Sequence, residues 1–184
     1  GIAHELNNPL TAIMGLVSLA RKELGDHPIA SELDLVLGEA QRVSQIVNDI
    51  RKFAETEREG GGEPFALDQS VKAALGLFED SMKDRHIQLR TELADGLPRV
   101  QGDALQIQQV VAHLVENAIN AMPNGGDLRV SLASVNGDAL KLAVQDNGCG
   151  IPKKIQERIF DPFFSTKANS ARVGLGLSIS HRIV

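Results

Sequence analysis

From Ile2 onward, apolar residues recur at Ile2, Leu6, Leu10, Ile13, Val17, Ala20 and Leu24. These steps of three and four predict a helix with a narrow buried stripe. Gly25, Asp26, His27 and Pro28 then spell a turn, with Gly suited to a helix C-terminus and Pro to the start of the next helix. A second stripe follows at Ile29, Leu33, Val36, Ala40, Val43, Val47, Ile50 and Ala54 with the same spacing. Two such helices joined by a short turn form an antiparallel hairpin, and a lone hairpin cannot bury both stripes. A homodimer that closes a four-helix bundle is therefore expected.

Residues 58–64 read REGGGEP, three glycines among charges, which support no regular structure and act as a flexible joint. The pattern then changes to alternating helices and strands. It predicts a helix over 68–83, a strand over 87–93 and a helix over 103–122. Two strands, 127–135 and 139–144, flank the hairpin turn Asn136, Gly137, Asp138. The expected fold class is thus α+β: an N-terminal helical hairpin over 1–58, a linker over 59–64, and a two-layer α/β sandwich over 65–184 with helices on one face of a sheet. Residues 178–184 read as an unfinished helix, and Gly1 stands three residues before a chemically interesting histidine. Both ends read as cuts in a longer protein.

Composition narrows the function classes. With 184 residues, 42% of them hydrophobic, the chain has room for a small helical module and one core-bearing domain. A formal charge of -5 without a basic cluster argues against a nucleic-acid partner. The single cysteine, Cys149, excludes a disulfide framework and a cysteine-rich zinc site, and fits a reducing, cytoplasmic setting. No apolar run approaches the roughly 18 residues of a membrane span, so no membrane contact is expected of this stretch.

His4 lies two positions from both Ile2 and Leu6, which turns it about 200° away from the stripe and predicts exposure. An imidazole in water titrates near ~6.5, so a neutral, nucleophilic ring nitrogen is available at neutral pH. Glu5 is placed to take the proton from the other ring nitrogen, and Pro9 is expected to kink the helix one turn on. The H-E-x-x-H zinc pattern is excluded because Asn8 stands where the second histidine belongs.

Phosphate-binding patterns of the P-loop and dinucleotide types are absent. What remains is an ordered set: QQVVAHLVENAINAM over 108–122, DNGCGI over 146–151, FDPFFSTK over 160–167 and GLGLSI over 174–179. Asp146 ends an apolar strand, where its carboxylate can accept a hydrogen bond from an adenine amino group. Gly148 and Gly150 allow close backbone approach. Gly174 and Gly176 open the last helix, where free N–H groups and the positive dipole end suit phosphates. Asn117 offers a neutral oxygen to a hard cation such as Mg²⁺. Residues 161–173, with Pro162, Ser165, Thr166, Asn169 and Ser170, lack periodicity and read as a mobile lid.

Taken together these motifs resemble those of two-component sensor histidine kinases, over nearly the whole chain. HELNNPL at 4–10 is similar to the phosphoacceptor box, and the four later segments are similar to the N, G1, F and G2 boxes in that order. The resemblance implies a dimerising phosphotransfer bundle and an ATP-binding domain of the kind shared with gyrase and Hsp90. It implies ATP and Mg²⁺ as cofactors, a response regulator receiver domain as partner, and autophosphorylation of His4 followed by transfer to an aspartate. Glu5 would be the assisting acid/base and Asn8 the residue of an E-x-x-N phosphatase pattern. Asn117 would hold Mg²⁺ and Asp146 would anchor adenine. Further nucleotide contacts are implied from His113, Gly148, Gly150, Ile151, Lys167, Gly174, Leu175, Gly176 and Leu177. Two positions depart from the family pattern: His113 stands where a first Asn is common, and Val173 where a small hydroxyl residue is common. Two other classes compete, an ATP-holding adaptor that never phosphorylates and a plain ATPase; neither makes any demand on His4 and Glu5.

Overall fold

The computed structural model describes residues 2–25, 27–55, 62–137, 139–165 and 174–184, with the backbone alone for 2–5, 45 and 49–55. The chain divides into two compact units, Gly1–Glu57 with Pro162–Leu175, and Arg58–Asp161 with Gly176–Val184. Residues 59–61 of the expected linker and 166–173 of the expected lid lie outside the described residues.

In the first unit, α1 (Ile2–Leu24) and α2 (Ala30–Glu55) form the expected antiparallel hairpin. Gly25 closes α1 with φ +52, a conformation that costs glycine little. Arg21 fastens the turn by donating to the Gly25 carbonyl at 2.9 Å and to the Asp34 carboxylate at 3.0 Å. Helix α1 runs through Pro9 without interruption.

The burial pattern corrects the single stripe read from the sequence. Half-buried positions on α1 include Asn7, Leu10, Met14, Val17 and Ala20, while Leu6 and Ile13 remain 48% and 46% exposed. On α2 the covered positions include Ala30, Leu33, Leu37, Ala40, Ser44, Val47 and Asn48, while Val36 and Val43, and Ile29 just before the helix, stay open. Two neighbouring stripes exist on each helix. One faces the other helix of the hairpin, and the second has more apolar surface than one hairpin can cover.

The second unit holds a three-stranded sheet in the order β1-β2-β3, formed by β1 (Ile87–Leu93), β2 (Gly126–Val135) and β3 (Ala139–Asp146). Strand β1 runs parallel to β2, from Ile87 opposite Gly126 to Leu93 opposite Leu132, and the crossover between them carries α5 (Ala104–Ala121). Strand β3 returns antiparallel beside β2. Their turn uses positive φ at Asn136 (+53) and Gly137 (+82), which suits a right-twisted hairpin.

Strand alternation sets the layers. Leu128, Val130 and Leu132 are wholly buried, whereas Asp127 and Arg129 face outward. On the outer face Arg129 pairs with Glu92, and Arg90 lies 3.7 Å from Asp127. On the inner face, Val71, Ala74 and Leu75 of α3 (Leu67–Gly76) and Val111, Val115, Ala118 and Ile119 of α5 close the core. The 3.6-residue spacing of each set produces one apolar side per helix. This is the α+β, helix-on-sheet arrangement expected.

One predicted element differs. The single helix over 68–83 breaks into α3 and α4 (Glu79–Asp84). Gly76 is a poor helix former, and the bonds Leu77 N–H to Ala74 O (3.3 Å) and Phe78 N–H to Leu75 O (3.0 Å) tighten the last turn until it ends. The break lets Phe78 and Met82 reach the same core. Strand β3 also runs two residues further than predicted, which makes Asp146 its last residue.

Candidate functional site

Helix α5 is the wall on which the site is built. Asp103 caps its N-terminus, its carboxylate accepting from the Leu105 N–H (2.8 Å) and the Gln106 N–H (3.3 Å). The buried face of α5 closes the core, and the residues marked from the sequence lie off that face. Among these, His113 is half-buried and Asn117, one turn on, is exposed. The four-residue spacing places the two on one side of the helix.

Two glycines touch α5. Gly148 lies so close to its C-terminal end that a Cβ added there would sit 2.5 Å from the Ala121 carbonyl oxygen. The neighbouring Cys149 N–H donates to that same oxygen at 3.1 Å. Gly176, the first residue of α6 (Gly176–Ile183), packs on the His113 ring, where an added Cβ would meet Cγ at 3.4 Å. Between residues 113 and 121 the helix rises about 12 Å. One helix therefore sets the spacing of both contacts.

The turn after β3 is held from three sides. The Gly148 N–H donates to Asp146 Oδ1 at 2.9 Å, so Asp146 is exposed but its carboxylate is oriented. The Asp127 N–H donates to Asn147 Oδ1 (2.9 Å), Asn147 Nδ2 donates to Asp127 Oδ2 (3.2 Å), and the Asn147 N–H reaches the Asp127 carbonyl (3.3 Å). Gly150 carries φ +68 with open space around it, and Ile151 is 48% exposed.

At α6 a hydroxyl meets an imidazole. Ser180 Oγ donates to the Gly176 carbonyl at 2.8 Å and lies 3.3 Å from His113 Nδ1. In the same stretch Leu175 is buried and Leu177 half-buried. Gly174, grouped with the hairpin unit, has φ +73 and would place a Cβ 2.7 Å from the Phe164 carbonyl carbon, so a side chain there is excluded twice.

Of the residues singled out from the sequence, His113, Asn117, Gly148, Asp146 and Gly176 come together around α5. Asn8 is exposed on α1. His4 and Glu5 sit in the first turns of α1 with their side chains outside the described residues, and Lys167 and Val173 also lie outside them. Sequence reading missed Asn147 and Ser180. Asn147 sits in a motif that was flagged, but its partner is 20 residues away. Among the described residues no group of three or more His, Cys, Asp or Glu could hold a metal.

Known proteins match both parts of this layout. Residues 1–59 match the family model described as His Kinase A (phospho-acceptor) domain, and residues 102–184 match Histidine kinase-, DNA gyrase B-, and HSP90-like ATPase. The chain is 31% identical to the solved catalytic domain of histidine kinase ThkA, covering 67% of this chain and 79% of that one with a TM-score of 0.60. The chain belongs to the two-component sensor histidine kinases. A curated relative of this histidine kinase chain is signal transduction histidine-protein kinase AtoS of Escherichia coli (strain K12), 33% identical over 185 residues, all of this chain and 30% of AtoS. The chain spans about a third of the length of the curated relatives it matches. ThkA in complex with response regulator protein TrrA matches with 29% identity and a TM-score of 0.69, over 100% of this chain and 52% of that one. Full-length ShkA in complex with AMPPNP shares the fold, with a TM-score of 0.82 at 21% identity over 99% of this chain and 39% of ShkA.

Proposed function

We propose that this histidine kinase chain transfers the γ-phosphoryl group of ATP to a ring nitrogen of His4, and then passes it to an aspartate of a response regulator. The observation that carries the reading is the pair of glycine turns abutting α5 on either side of Asn117, in a chain whose two halves match the phospho-acceptor and ATPase families. The solved complex of ThkA with TrrA supports a receiver domain as partner.

In this reading Asp146 accepts from the adenine amino group, its carboxylate held by the Gly148 N–H. The backbone at Gly148, Gly150 and Ile151 borders the base. Phosphates lie toward Gly174, Leu175, Gly176 and Leu177 at the start of α6, with His113 and Lys167 as charged or donor side chains. Asn117 is exposed and would bring one neutral oxygen to a hard cation. Asn117 would hold Mg²⁺, which would supply neutralisation of the charge that develops on the leaving diphosphate.

The transfer forms a bond from a His4 nitrogen to phosphorus and breaks the bond to the bridging oxygen, releasing ADP. Glu5 takes the proton from the other ring nitrogen as the attacking one becomes positive. Asn8, exposed on α1, orients a water against the phosphorylated regulator, whose aspartyl–phosphorus bond breaks to release inorganic phosphate.

The division proposed is a hairpin over 1–58, a linker over 59–64 and an ATP-binding domain over 65–184, working as a homodimer. Supporting the dimer, α1 and α2 leave Leu6, Ile13, Leu16 and Leu19 exposed, along with a groove of about 390 Å³ lined by Leu10, Ile13, Leu35, Val36, Glu39, Ala40 and Val43. No helix of the described residues is long and apolar enough to cross a membrane, and a cytoplasmic place for this fragment is part of the proposal.

The test is phosphorylation with labelled ATP and Mg²⁺. Acid-labile, alkali-stable label on the protein, absent from His4→Gln and from Asp146→Asn, is expected. Nucleotide binding without label would mean an adaptor instead, and steady phosphate release that survives His4→Gln would mean an ATPase.

A further inference from the structure

The seam between α1 and α2 is apolar along most of its length and polar at one end. From the turn outward it is built of Val17, Met14 and Leu10 against Leu33, Leu37 and Ala40, all covered. One turn further it changes to Asn7, Ser44 and Asn48, which are half-buried. Asn7 Nδ2 donates to Asn48 Oδ1 at 3.0 Å, and Asn7 Oδ1 accepts from Ser44 Oγ at 3.3 Å. Both ends of one amide are therefore spent on residues one turn apart on the facing helix.

Leucine in this place would extend the seam and bury more apolar area. A polar residue in such a position costs stability and, in exchange, admits only one register, because any slide or rotation leaves its amide unsatisfied in a half-dry place. Asn7 meets two partners at once, so it fixes the rotation of α1 as well as its height. The backbone is tied down at the same point. Thr11 Oγ1 donates to the Asn7 carbonyl at 2.8 Å, bracketing Pro9, the residue that lacks an N–H to give to the helix.

Asn7 also lies between two functional positions. His4 precedes it by one helical turn and Asn8 follows it directly. Whatever fixes the azimuth of α1 at residue 7 fixes the direction in which both are presented. We infer that Asn7 is a positioning residue, whose paired hydrogen bonds to Asn48 and Ser44 hold the phosphoacceptor turn of α1 in the rotation needed for in-line attack.

This inference rests on the reading of His4 as phosphoacceptor. The experiment uses the full chain with ATP and Mg²⁺ and compares wild type with Asn7→Leu, Asn7→Asp and His4→Gln. Asn7→Leu is expected to melt at or above the wild-type temperature, since the seam becomes apolar throughout. It should bind ATP as wild type does, and yet label roughly ten- to a hundredfold more slowly at saturating ATP, the cost of a small misplacement of a reacting group. Asn7→Asp keeps two acceptors for Ser44 and for a turned Asn48 amide, and is expected to recover most of the rate. The inference is overturned if Asn7→Leu labels at the wild-type rate, or if Asn7→Asp is no faster than Asn7→Leu. It is equally overturned if the lost rate merely tracks a lowered melting temperature. Label that persists in His4→Gln would instead overturn the phosphoacceptor reading, whatever Asn7 does.

Discussion

Gly148 and Gly150 both stand in the turn after β3, but the structure gives them different reasons to be glycine, and alanine substitutions separate the two. At Gly148 an added Cβ would meet the Ala121 carbonyl oxygen at 2.5 Å and the Ala121 carbonyl carbon and Cβ at 2.7 Å. Ordinary contact begins about 3.4 Å, so the turn must withdraw from α5 by roughly 1 Å. That movement strains the bond from Cys149 N–H to Ala121 O, 3.1 Å long. Overpacking of about 1–3 kcal/mol plus about 1 kcal/mol for the hydrogen bond gives roughly 2–4 kcal/mol for Gly148→Ala. At Gly150 nothing lies within 4 Å, and only the φ of +68 opposes a side chain; Gly150→Ala should cost about 1–2 kcal/mol. The chain has no Trp or Tyr, so urea unfolding is followed by far-ultraviolet circular dichroism. Binding of ADP is measured beside it, because Gly148 also orients Asp146, and Gly148→Ala should weaken binding more than Gly150→Ala. Equal stability losses, or a larger one at Gly150, would refute the close approach of this turn to α5.

Removing the cap of α5 with Asp103→Ala should lower stability by about 1 kcal/mol in the same unfolding experiment, with ADP affinity little changed because the cap lies at the far end from Asp146. Ser180→Ala removes both the hydrogen-bond partner of His113 Nδ1 and the donor to the Gly176 carbonyl; a loss of about 1–2 kcal/mol and weaker ADP binding are expected, and unchanged binding would show that this link does not hold the α6 terminus. Val36 lines the apolar groove of the hairpin, so Val36→Glu should shift sedimentation from dimer toward monomer while helical signal is kept; a dimer of unchanged affinity would place the interface elsewhere.

The elements were legible wherever one period dominates. The stripes of α1 and α2, the alternation in β2 and the apolar face of α5 each leave a plain trace in the residue order, and their ends fall within two residues of those read from it. Two things were not legible. Period alone does not tell which of two adjacent stripes on a hairpin helix meets its own partner, so Met14 and Leu37 were left out of the seam that the structure builds with them. Hydrogen-bond partners distant in sequence were also invisible. The ring of His113 finds Ser180, 67 residues on, and Asn7 finds Asn48, 41 residues on, through packing that no local signal encodes. Asn117, Asp146 and the glycines stood out because their motifs fall in order, and that order marks residues without saying how they are held.

Because Gly148 and Gly176 both rest on α5, the eight-residue interval from His113 to Ala121 works as a ruler. Inserting one residue within it would turn one contact about 100° away from the other and lengthen their separation by about 1.5 Å. This stretch of helix cannot absorb an added or missing residue without parting the two contacts. A register change inside α5 should therefore abolish nucleotide binding even when every motif residue is kept.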